Sequence, residues 1–338
     1  MHRLAIYRAS IDHRQARIEE RVIDVRDCET TTGEAIATIL EQVLLHNDID
    51  PNNCVGASAN GASNMQGPHR GAIPRLQAGP MKKCVNIYCT AHGTNLVSKG
   101  CCTSSVTLVN IYGTSSKPGD LQKLRTFFYG NARKRSQVFQ HDKQSTECGD
   151  MELAATHTIR FSAMHNATSR VLQLYPAVLT ALDDICIRPE DFEAAVRAES
   201  DGLLTRFRHF ETLIKLVMFK KIFDIVGPLN TFLQTSGEDL ALCIAEADIA
   251  KAKLQTLRDS RGNQIIRDAK VTAETLEIAP QFKGKRLRKK KRLFDNEGAD
   301  ERTFDPTEQW INEVFMTAID TAQAILKEKF SGQRGMSL

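Results

Sequence analysis

The sequence predicts an α/β core over residues 1–115 followed by a mainly α-helical domain over residues 116–335. Three observations lead there. Short β-branched runs alternate with helically spaced apolar residues in the first hundred positions. From about residue 120 onward the apolar spacing is helical throughout. The 338 residues, 41% hydrophobic and 25% charged, are enough chain to close two cores. In order, residues 4–7 (LAIY) and 21–25 (RVIDV) read as strands. The threonines at 30–32, with Glu34, read as an N-cap leading into a helix over 35–45. Residues 48–53 carry turn chemistry, 54–56 (CVG) a strand, 67–78 a short helix or loop, 85–88 (VNIY) a strand, and 91–97 the start of a helix.

Helices are expected over 121–140, 163–185, 189–199, 202–235, 239–258, 263–276 and 306–330. The first should present a basic face built from Lys123, Arg125, Arg133, Lys134 and Arg135. Between 207 and 232 aromatic and aliphatic residues recur at spacings of three and four, and Gly227-Pro228 should kink or divide that helix.

The formal charge of +4 is a mild excess, so its distribution matters more than its sum. Nine cysteines are an odd count and include the adjacent pair Cys101-Cys102, no N-terminal stretch has secretory-signal character, and no run approaches the roughly 18 apolar residues of a membrane span. A reducing compartment, nuclear or cytoplasmic rather than secreted, and no membrane partner are therefore expected.

Residues 54–67 read CVGASANGASNMQG, and residues 89–97 read CTAHGTNLV. Together these blocks resemble the hAT superfamily of transposase-like proteins, in particular the domesticated group related to zinc finger MYM-type proteins. In that group the first block reads like C-x-G-x-x-Y-D-G-A-S-N-M-x-G, and its aspartate ends a strand of an RNase H-like sheet and holds a catalytic divalent metal. Here Asn60 stands at that position. Its neutral amide offers one carbonyl oxygen where a carboxylate offers two anionic ones, and hard cations are held chiefly by anionic oxygens. The resemblance implies that the opening strand, which carries the family's first catalytic aspartate, is missing, because residues 1–7 resemble the second strand. It also implies that the last acid, a glutamate in an S-A-x-x-E-R-x-F-like motif of the dimerisation region, is absent, and with it the usual reason to expect the family's oligomers. Without its central first strand the sheet should be distorted or carry an exposed internal edge. Arg160-Phe-Ser162 resembles the T-R-W-S-A-R segment of the family's helical insertion, departing from it at Ile159, Phe161 and Met164. The vestigial site implied is Asn60, Gly61, Ser63 and Asn64 with Cys89, His92 and Asn95.

Plainer readings stand beside these. Cys89 and His92 form a C-x-x-H pair that Cys101 and Cys102 could complete as a zinc site, but adjacent cysteines rarely chelate one ion, and packing and polar contacts are the expected roles. A Cys89–His92 nucleophile needs a positioned base and an electropositive setting that sequence does not establish. The glycines between 56 and 67 lack the lysine and serine spacing of a P-loop, so tight backbone turns explain them better. No metal or cofactor is expected.

The densest charge run is 283–292, where Lys283, Lys285, Arg286, Arg288, Lys289, Lys290, Lys291 and Arg292 would attract phosphates or serve as a nuclear import signal. Its alternative is a solvated loop. Phe282 and Phe294 flank it, too few aromatics for base stacking. The expectation is a transposase-derived protein without the three catalytic carboxylates, non-catalytic, binding DNA without sequence preference, or protein, in the nucleus. Two alternatives are a metal-dependent nuclease fragment whose acids come from another chain, and a helical protein-interaction scaffold.

Overall fold

The computed structural model describes residues 2–12, 17–114, 116–130, 132–146, 148–156, 160–235, 240–282 and 305–331. The chain divides into two compact units, the first running to Gly93 and the second covering Thr94–Gln234 and the chain from Leu240 onward.

The first unit is a mixed α/β arrangement. Strands β1 (His2–Asp12) and β2 (Arg17–Cys28) form an antiparallel hairpin, irregular between Ile6 and Tyr7, where Ile6 faces Asp24 and Tyr7 faces Val22. That pairing leaves Ile23 as an extra residue on β2. Helix α1 (Gly33–His46) follows, and its cap is the one expected: the Thr32 hydroxyl accepts from the Ala35 N–H at 3.3 Å. A 3-10 turn (Pro51–Asn53), capped by Asp50, leads to β3 (Gly56–Ala59). The short α2 (Ser63–Gln66) and α3 (Ala72–Ala78) then return the chain to β4 (Val85–Tyr88), which lies parallel to β3 with Gly56 opposite Val85 and Ala59 opposite Tyr88. Ile36, Ala37, Ala72, Leu76, Met81 and Cys84 close a small core between α1 and α3.

The single sheet expected of this region is replaced by two separate two-stranded sheets, β1-β2 and β3-β4. Among the described residues β3 and β4 have no third strand, and β3 has no buried residue. Its sequence, Gly-Ala-Ser-Ala, supplies too little apolar side chain to draw another strand onto it. The third strand also begins two residues later than expected, at Gly56.

The second unit is helical: α4 (Thr90–Thr103, whose first turn holds the division), α5 (Val106–Tyr112), α6 (Asp120–Tyr129), α7 (Arg133–Ser145), α8 (Phe161–Gln173), α9 (Tyr175–Cys186), α10 (Ala194–Phe207), α11 (Phe210–Phe232), α12 (Leu240–Asp259), α13 (Asn263–Thr275), α14 (Pro306–Trp310) and α15 (Thr317–Ser331). The division falls at Gly93 rather than near residue 115 because Val97, Cys101 and Cys102 of α4 and Leu108, Ile111 and Tyr112 of α5 all lie in the helical core. Helix α11 packs against α8, α12 and α13 and is apolar around most of its circumference, the pattern of a central helix.

Several expected helices are shorter. The helix of 121–140 breaks at Gly130, and that of 163–185 at Leu174, where Pro176 restarts it in the first turn of α9. The helix placed at 189–199 begins at Ala194 instead. Pro228 does not divide α11, because it sits near the helix end and removes a single hydrogen bond there. Between α14 and α15 lies a π-helical turn (Ile311–Met316), and the Thr317 hydroxyl donates to the Asn312 carbonyl five residues back at 3.2 Å.

Candidate functional site

In open α/β sheets, ligands collect at the carboxyl ends of parallel strands. In this chain that edge is where β3 and β4 end. The Cys89 N–H donates to the Ala59 carbonyl at 3.1 Å, which sets Asn60 and Cys89 side by side. Asn60 is exposed, and its Oδ1 accepts from the Ala62 N–H at 3.4 Å, a local Asx turn that opens α2.

The residues after this turn are held by polar contacts to backbone. Gln66 donates from Nε2 to the Ala59 carbonyl at 2.8 Å, fastening α2 to the end of β3. Asn64 donates from Nδ2 to the Thr31 carbonyl at 2.8 Å, fastening α2 to the loop ahead of α1. Gly61 and Ser63 are exposed. Two glycines make the crowding here possible. A Cβ on Gly33 would overlap the Arg70 carbonyl oxygen, and one on Gly71 would come within 2.7 Å of the Gly67 carbonyl oxygen and 2.8 Å of that of Met65.

His92 lies in the first turn of α4, its N–H donating to the Cys89 carbonyl at 3.1 Å. Asn95 falls in the second unit, where its Oδ1 accepts from the Phe161 N–H at 2.7 Å and so caps α8. The structure thus groups Asn60, Gly61, Ser63, Asn64, Cys89 and His92 in the α/β unit and gives Asn95 a structural task in the helical one.

Beside the glycine-rich turn stand two arginines, Arg70 and Arg75, against one carboxylate, Glu34. An open cavity beside the glycine-rich turn is lined by Glu34, Asn64, His69, Arg70 and Arg75 among others, with Arg75 3.9 Å from Glu34. Sequence reasoning passed over His69, Arg70 and Arg75. Their signal was a short basic cluster next to the motif block. Among the described residues no three His, Cys, Asp or Glu side chains gather as a metal site.

The cysteines proposed as completions for zinc are elsewhere. Cys101 and Cys102 are buried in the helical core, Cys101 sulfur 3.4 Å from the Ala318 carbonyl. Burial pushes the Cys101 thiol up to about 12 and holds that of Cys102 well above its ordinary range, so both thiols are neutral in the metal-free chain.

Most of the basic face expected on α6 and α7 is engaged within the protein. Lys123 Nζ lies 3.1 Å from Asp120, Arg125 lies over the Tyr129 ring at 5.9 Å, and Arg135 stacks on Phe127 at 4.6 Å while 3.8 Å from Glu199. Arg133 and Lys134 are exposed. The basic run, Lys283 to Arg292, lies outside the described residues.

A second cavity, of about 410 Å³, belongs to the helical unit and was not anticipated. Cys102, Tyr112 and Met164 line it together with Lys99, Lys117 and Gln122. Gly113, at φ 80°, turns the loop that forms one wall.

Comparison with known proteins returned no matching family model, no matching curated protein and no matching solved structure. No described helix is long and apolar enough to cross a membrane.

Proposed function

We propose that this chain is a transposase-derived protein of the hAT type, with an RNase H-like core, that has lost metal-dependent strand cleavage and acts in the nucleus by binding DNA without sequence preference. The observation that carries the loss of cleavage is the environment of Asn60. At the carboxyl edge of β3, where the Cys89 backbone runs alongside, Asn60 offers one neutral amide oxygen, and it spends that oxygen on the Ala62 N–H. That donor set does not fit a hard divalent cation, which takes anionic oxygens. DNA binding rests on two basic features: the run from Lys283 to Arg292, and the cluster of His69, Arg70 and Arg75 around the open cavity.

A second reading, a protein-interaction scaffold, draws on the extent of the helical unit, whose core stands without reference to the α/β site. Salt separates the two. DNA affinity should fall steeply with rising salt, and it should weaken further when Lys289, Lys290, Lys291 and Arg292 are changed to alanine. Affinity that ignores both changes supports the scaffold. Cleavage of a DNA duplex in magnesium or manganese, abolished by Asn60→Ala, would overturn the non-catalytic reading altogether.

A further inference from the structure

Cys54 and Cys84 lie just ahead of β3 and β4, and their sulfurs are 3.7 Å apart. The two strands are parallel neighbours whose register, carried one step back, sets Val55 opposite Cys84, so Cys54 is offset from Cys84 by one residue; a strand spacing of about 4.8 Å and a rise of about 3.3 Å put their Cα atoms about 6 Å apart. That separation falls inside the Cα span of about 4.4–6.8 Å that a disulfide bridges, and the sulfurs need only approach to about 2.0 Å. The two side chains differ in access: Cys54 is partly exposed, whereas Cys84 is 4% exposed and packs in the small core.

We propose that Cys54 and Cys84 form a reversible disulfide that clamps β3 to β4, with a low-molecular-weight disulfide such as glutathione disulfide as the oxidant. Cys54 thiolate attacks one sulfur of glutathione disulfide, forming a mixed disulfide and releasing one glutathione. Cys84, after giving its proton to solvent, attacks the Cys54 sulfur and releases the second glutathione. The protein loses two protons and two electrons, and glutathione disulfide takes up both.

The bond closes a loop that holds the whole 54–67 block together with α2 and α3. It fixes the amino ends of the strands whose carboxyl ends carry Asn60 and Cys89. Burial raises the Cys84 thiol, and that cause persists once Cys54 is in the mixed disulfide, which makes the resolving step the slower one. The inference goes beyond the DNA-binding reading and does not depend on it.

The test uses the full chain equilibrated with glutathione disulfide and glutathione at several ratios, then alkylated with N-ethylmaleimide, digested and weighed. A linked Cys54–Cys84 peptide is expected at oxidising ratios and should revert to two alkylated peptides at reducing ones. Cys84→Ser should accumulate the glutathione mixed disulfide on Cys54, and Cys54→Ser should leave Cys84 open to alkylation after denaturation. Trypsin should nick the oxidised chain at Arg70 and Arg75 about tenfold more slowly than the reduced chain. Recovery of Cys54 and Cys84 from the oxidised wild type as separate alkylated or glutathionylated peptides overturns the bond, and equal nicking rates overturn the clamp.

Discussion

In the helical unit the largest buried side chains, among them Phe127, Phe161, Tyr175, Phe207, Phe219 and Phe315, meet in one continuous core, whereas among the described side chains of the α/β unit the buried ones are no larger than Leu76 and Met81. The α/β unit also leaves Val22 and Val25 of β2 more than half exposed, at 54% and 55%. What replaces hydrophobic mass there is backbone detail: the Thr32 cap, the close approach at Gly33 and Gly71, and the amides of Asn64, Gln66 and Gln77 reaching main-chain carbonyls. The site-bearing unit is thus held by directional contacts, each worth about 1 kcal/mol, and the helical unit by non-directional burial that scales with area.

The strongest way to test that contrast is Phe219→Ala on α11. Phe219 is fully buried, with ring centroids 4.5 Å from Tyr112 and 5.5 Å from Phe223. Truncation should cost about 3–5 kcal/mol, read from urea denaturation followed by far-ultraviolet circular dichroism. A loss below about 1 kcal/mol would place the weight of the core elsewhere than around α11.

Alkali should act next, through thiols that burial keeps neutral. Desolvation raises Cys101 and Cys102 in the helical core, and Cys84 in the α/β core, above the ordinary value of 9.0, with Cys101 and Cys84 at about 12. The unfolded chain ionises these thiols first, so their contribution to stability is complete below pH 9 and is lost as pH rises toward 12. Melting temperatures measured between about pH 7 and pH 11 should therefore fall only above about pH 9, and Cys101→Ala should flatten the fall. A curve unchanged by that substitution would remove the buried thiols as its cause.

A smaller loss is expected from Leu76→Ala, which opens the cluster between α1 and α3 at a cost of about 2–3 kcal/mol. Hydrogen exchange gives the local reading. The amides of Val85 and Cys89, bonded to the carbonyls of Val55 and Ala59, should lose protection. If they keep it, the strand pair is stable without the helix layer and the small core is not what supports the site.

How far the sequence foretold this depends on where the determining contacts lie. The cap at Thr32, the strand at Val85–Tyr88 and the helix at Asn263–Thr275 were legible because short-range pattern fixes them. The split of the sheet into two pairs was not, since strand partners are chosen by contacts far apart in sequence. Nor was the inclusion of α4 and α5 in the helical unit, which depends on Cys101 and Leu108 packing among helices much later in the chain. At the site, the resemblance of the two motif blocks drew attention to Asn60 and Cys89 together, and the Cys89 N–H to Ala59 bond shows how adjacency of parallel strands brings them side by side. The same resemblance grouped Asn95 with them, and the partner the structure gives it, the Phe161 amide, is 66 residues away. The contact of Cys54 with Cys84 was equally hidden, because nothing local signals a pairing across 30 residues.

The smallest effect probes the directional contacts themselves. Thr32→Ala removes the hydroxyl that accepts the Ala35 N–H and should cost about 1 kcal/mol of stability. Asn64→Ala removes the bond to the Thr31 carbonyl one residue earlier, at a similar cost of about 1 kcal/mol. The two contacts hold consecutive residues of one loop, Asn64 from the glycine-rich turn and Thr32 from the head of α1, so freeing that loop by either change should already weaken the other bond. The double variant should then lose less than the sum of the singles, by about 0.5 kcal/mol or more in a thermal denaturation cycle. Strict additivity would mean that the turn bearing Asn60 and the start of α1 are ordered independently, and that the α/β unit owes its shape to the Leu76 cluster rather than to its hydrogen bonds.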